Sequence, residues 1–73
     1  MDADKIKLLE THKEDLQKGI WILEVDVRFL ERKKVTARDS ELGEIQHTIN
    51  RTKEKIELHK ERIELIEDIL TGK

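Results

Sequence analysis

The chain has 73 residues, with 15 Lys and Arg against 17 Asp and Glu, three glycines, two aromatics (Trp21 and Phe29) and neither cysteine nor proline. Disulfides and cysteine-based zinc sites are excluded, and a chain this short buries too small a share of its surface to be stable without a staple or a partner. A net charge of −2 argues against a generic polyanion binder, so any affinity for nucleic acid must be local.

The longest apolar run, Ile20-Trp21-Ile22-Leu23, is far shorter than the roughly 20 residues a membrane span needs. The N-terminus lacks the basic and apolar regions of a signal peptide. The expected location is the cytoplasm, with no membrane contact. Met1 and the polar Leu70-Thr71-Gly72-Lys73 tail read as natural ends of one domain, residues 1–73.

In chain order, the first element is a helix over about residues 3–37. Steps of three and four alternate through Ile6, Leu9, Lys13, Leu16, Ile20, Leu23, Val27, Leu30, Lys34 and Ala37. This is the a/d seam of helices packed at coiled-coil angles. Residues 21–29 also alternate with period two, as a strand does, but no second strand-like run exists to pair with them, and the heptad phase passes through unbroken.

A turn follows. The seam slips phase between Ala37 and Leu42, and Thr36 or Asp39 offers an N-cap, with Glu41 and Glu44 placing negative charge near a helix start. A single continuous helix is the competing reading. The second helix, over about residues 40–71, carries the seam Leu42, Ile45, Ile49, Thr52, Ile56, His59, Ile63, Ile66 and Leu70. A tight turn at Asp39-Ser40 pairs residues whose numbers add to 79, so Leu30 meets Ile49, Leu23 meets Ile56, and Ile20 meets His59. Lys34 then meets Ile45. At 1.5 Å per residue each helix is about 50 Å long. The expected fold is therefore an all-α antiparallel two-helix hairpin that dimerises into a four-helix bundle.

The seams leave apolar residues over. Trp21, Ile22, Val25 and Phe29 on the first helix and Leu58, Leu65 and Ile69 on the second lie off them, and exposed apolar area of this kind marks a contact surface. Residue 58 stands opposite residue 21, so Trp21 and Leu58 are expected to edge one patch. The expected use is a homodimer interface, with docking of another protein through the Trp21 face as the alternative.

Charge divides along the hairpin. Residues 28–51, at the turn end, carry six bases and four acids, while residues 1–27 carry four and seven and residues 52–73 five and six. The balances are +2, −3 and −1. Unlike ends attract, which favours two hairpins lying with opposite ends together. Arg32, Lys33, Lys34 and Arg38 at the tip offer anion contacts, and regulation through nucleic acid is the alternative function. Four bases without interleaved aromatics are a weak signal, and specific binding is not expected.

No enzyme and no cofactor are expected. Ser40 is the one serine and sits at the turn, and the glycines are isolated, so neither a nucleophile constellation nor a phosphate-cradling loop exists. Glu44 and His47 have the Glu-x-x-His spacing of di-metal bundles, but Ile45 takes the core position and turns both outward. His59, on the seam, reads as a neutral core histidine that sets register. The expected function is a non-catalytic oligomerisation or protein-interaction module, a scaffold or adaptor.

Overall fold

The computed structural model describes residues 2–72. Two antiparallel helices make up the hairpin: α1 is Ala3–Thr36 and α2 is Asp39–Thr71. The hairpin is 55 Å long and 17 Å wide between Cα atoms. Residues 21–29 are helical, so the strand alternative and the continuous helix both fall. Neither helix is long and apolar enough to cross a membrane.

Local chemistry favours each of the four helix ends. Asp2 caps α1 through its carboxylate, which accepts from the Lys5 amide at 2.9 Å. Lys33 and Lys34 stand in the last turn of α1, and Asp39 and Glu41 in the first turn of α2, each favourable to the helix dipole there. Gly72 ends α2 at φ 78°, a left-handed conformation glycine reaches without Cβ strain. Its N–H donates back to the carbonyls of Asp68 and Ile69.

The start of α2 differs from expectation. Neither Thr36 nor Asp39 caps it: Ala37 and Arg38 are both extended and make the connection, Arg38 holds the N-cap position without a side-chain bond, and the Glu41 amide donates to the Arg38 carbonyl. The two-residue link puts Asp39 one step inside the helix. Thr36 instead belongs to the end of α1, where its hydroxyl donates to the Lys33 carbonyl.

Along the seam, Leu16, Ile20, Val27, Ile49, Ile56 and Ile66 are buried. Ile20, Val27, Ile49 and Ile56 form the central cluster, with Leu23, Leu30, Ile45 and Ile63 packed against it and half-buried. The contacts that fix register are Lys13 with Glu67, Gly19 with His59, and Lys34 with Gln46. Their numbers add to 80, 78 and 80, around the expected 79.

The polar seam residues do not all sit as expected. Lys34 is exposed and bonds to Gln46 rather than covering Ile45, because a lysine keeps its ammonium in water. His59 lies against the bare backbone of Gly19, one residue from the expected Ile20. Thr52 satisfies its hydroxyl by donating to the Thr48 carbonyl at 2.8 Å, which lets it occupy a half-buried layer.

Candidate interaction surface

An antiparallel helix pair has two flanks, one on each side of the seam. On the first flank, Glu10, Gln17, Glu24 and Glu31 recur every seven residues along α1 and face Gln46, Lys53, Lys60 and Glu67 on α2. Lys13 Nζ reaches Glu67 Oε1 at 3.1 Å on this side, and Lys34 reaches Gln46. A shallow groove here has Val27 and Ile56 at its floor, walled by Glu24, Arg28, Glu31, Lys53, Glu57 and Lys60. Three acids and three bases make it a solvated, charge-balanced strip.

The second flank carries His12, Gly19, Asp26 and Lys33 on α1 and Thr48, Lys55, Arg62 and Ile69 on α2, and it is the side on which His59 meets Gly19. It is much less well covered. Near the turn its groove exposes Leu30, Ala37 and Ile45 beside Lys33, Glu41 and Thr48. Thr48 is too short to screen the seam there as Lys53 and Lys60 do on the first flank.

Trp21, Ile22, Val25, Phe29, Leu58 and Leu65 are each more than half exposed, and Ile69 is 40% exposed. Helical rotation of 100° per residue divides them. Trp21, one step beyond Ile20, turns outward toward the charged flank, and Val25 points directly away from α2. Ile22 and Phe29 project beside Gly19's flank on α1, Leu58 and Leu65 beside the same flank on α2, and Ile69 lies on it. Trp21 and Leu58 therefore share a level along the hairpin but project from opposite flanks. The expected common patch does not form, because the residue after an a position and the residue before a d position turn to opposite sides in an antiparallel pair.

Leu8 and Val35 are also exposed, at 70% and 85%. Their signal was available, since Leu8 stands two and three heptads before Ile22 and Phe29, and Val35 two heptads after Trp21. The interruption at Asp15 hides the repeat.

At the tip, Arg32, Lys33, Lys34 and Arg38 are exposed, but two are engaged within the chain. Lys33 Nζ lies 5.3 Å from the Phe29 ring centroid, a cation–π distance, and Lys34 donates to Gln46. Glu44 and His47 are exposed on α2, and the half-buried His59 has an Nδ1 without a hydrogen-bond partner. Comparison with protein-family models, curated proteins and solved structures finds no match to this chain.

Proposed function

We propose that this chain is a non-catalytic helical oligomerisation module, a scaffold or adaptor element of the cytoplasm that acts as a homodimer. One observation carries the reading: on a chain with 44% charged residues, large apolar side chains stand exposed off the seam on both helices. Isolated exposed hydrophobics are ordinary, but an aligned set along a thin two-helix layer is the surface of an unfinished core. A hairpin with six buried apolar residues among those described has little else to hold it, and a second layer of helices supplies what is missing. The absence of cysteine suits a reducing compartment.

Sedimentation equilibrium at micromolar concentration tests the reading. The expected mass is twice the 8.7 kDa of one chain, with a melting temperature that rises with concentration. A cooperatively melting monomer overturns it.

A further inference from the structure

We infer that a second copy of this chain covers the flank of Gly19, Ile22, Phe29, Leu58, Leu65 and Ile69, with its turn at the opposite end, and leaves Trp21 outside. The inference rests on the homodimer reading and says which face is used and in which orientation.

The choice of flank follows from how unevenly the seam is buried. In the middle of the hairpin, the seam residues that lean toward the charged flank, Ile20, Val27, Ile49 and Ile56, are buried by their own chain. Those that lean the other way, Leu23, Leu30, Ile45, Thr52 and His59, remain half-buried. The outward residues beside them, Ile22, Phe29, Leu58 and Leu65, extend the same apolar surface. From the middle of the hairpin to its turn one side of the core is thus closed and the other open, whereas toward the open end Leu16 and Ile66 are buried on that same side. A layer placed on the open stretch buries both sets together.

Size and shape agree. A face 55 Å by 17 Å has a footprint of roughly 900 Å², against about 800 Å² per partner in a standard interface. Gly19 lies near the midpoint of α1, and the chain's own His59 fills the space that a side chain there would take. Asp26, Lys33, Lys55 and Arg62 also stand on this flank, Lys33 over the Phe29 ring. Asp26 is level with Lys55 across the hairpin, and the long basic stems can lie along the contact with their heads at its rim.

Charge selects the orientation. Laid turn against turn, two such hairpins bring together their +2 segments, residues 28–51. Laid turn against open end, each basic tip meets the acidic segments, −3 over residues 1–27 and −1 over residues 52–73, which steers and favours that complex. With the two-fold axis across the hairpin, α1 of each copy packs on α1 of the other.

Two pairs of variants and one label test this. Ile22→Glu with Leu58→Glu places charge at the centre of the flank, and both positions are exposed in the hairpin, so neither change removes a core contact within one chain and helicity by circular dichroism should fall only as the dimer dissociates. Sedimentation should show the dimer weakened by on the order of 100-fold or more, as loss of central contacts does. Trp21→Glu with Val25→Glu should leave it dimeric. A spin label on Ser40→Cys, the sole thiol, should report a separation near the 55 Å hairpin length. A dimer that survives the first pair, or breaks with the second, overturns the choice of flank. Labels within about 20 Å, closer than a helix of this length spans, overturn the orientation. Wild-type protein that sediments as a monomer overturns the dimer reading and this inference with it, whereas a wild-type dimer indifferent to Ile22 and Leu58 leaves the former standing.

Discussion

The imidazole of His59 rests on the backbone of Gly19: a Cβ at residue 19 would lie 3.2 Å from its Cδ2 and 3.3 Å from its Nε2. Glycine in mid-helix costs roughly 0.5–1 kcal/mol relative to alanine, and here the missing methyl makes room for the ring. Gly19→Ala should therefore gain less than that amount in the wild-type chain, because the imidazole must yield by a few tenths of an ångström. In a His59→Ala background the same change should stabilise by the full amount. Urea titration of the four proteins gives the coupling, and equal effects in both backgrounds would remove the steric account.

His59 also carries a cost of its own. Its Nδ1 is buried without a hydrogen-bond partner, and an unsatisfied buried polar atom costs about 1–3 kcal/mol. His59→Leu keeps an apolar body of similar reach at the layer and removes the orphan, so the melting temperature should rise. A fall would show that Nδ1 is bonded in solution.

At the other extreme of the seam, Ile49 is 2% exposed in the central cluster. Ile49→Ala should cost about 2–5 kcal/mol, the range for removing a buried branched side chain and leaving a cavity. A chain of this size has little more than that to lose. Far-ultraviolet circular dichroism at 37 °C should show a largely unfolded variant, and a loss below about 1 kcal/mol would mean that the cluster is looser than its burial implies.

At the basic tip, the expected outcome is no tight complex with duplex DNA or RNA at physiological salt. Lys33 is held over Phe29 and Lys34 at Gln46, which leaves Arg32 and Arg38 as the freer cations of the four. Few phosphate contacts give a weak, steeply salt-dependent affinity. A tight complex, lost when Arg32, Lys33, Lys34 and Arg38 are changed to Ser, would favour nucleic-acid regulation over the module reading.

The hairpin itself was legible because one physical signal dominates it. The 3-4 spacing from Ile6 to Ala37 and from Leu42 to Leu70 places the buried residues Leu16, Ile20, Val27, Ile49, Ile56 and Ile66 correctly. The phase slip locates the turn within a residue or two. What it could not give is the local detail. Capping at Arg38 depends on the geometry of a two-residue link, not on residue type, and the placement of His59 on Gly19 depends on a stagger finer than a layer. The division of the surface was also hidden, since Trp21, Ile22, Val25 and Phe29 form one stripe on a helical wheel. They part only when the antiparallel partner defines two unequal flanks.

That division makes Trp21 the sharpest probe. If the second copy lies on the Gly19 flank, Trp21 keeps the 58% exposure it has in the hairpin even in the dimer. Its emission should then be red-shifted and readily quenched by iodide at every protein concentration. Trp21→Ala should change stability by no more than about 0.5 kcal/mol, as surface substitutions do, rather than the roughly 3–5 kcal/mol of an aromatic removed from a packed layer. If instead the hairpins meet through α1's outer face, the emission should shift to the blue and resist quenching as the dimer forms. Trp21→Ala would then dissolve the dimer, and dissociation and melting would coincide. Fluorescence of the wild-type chain across its dissociation range, where this lone tryptophan is the reporter, separates the two without a substitution.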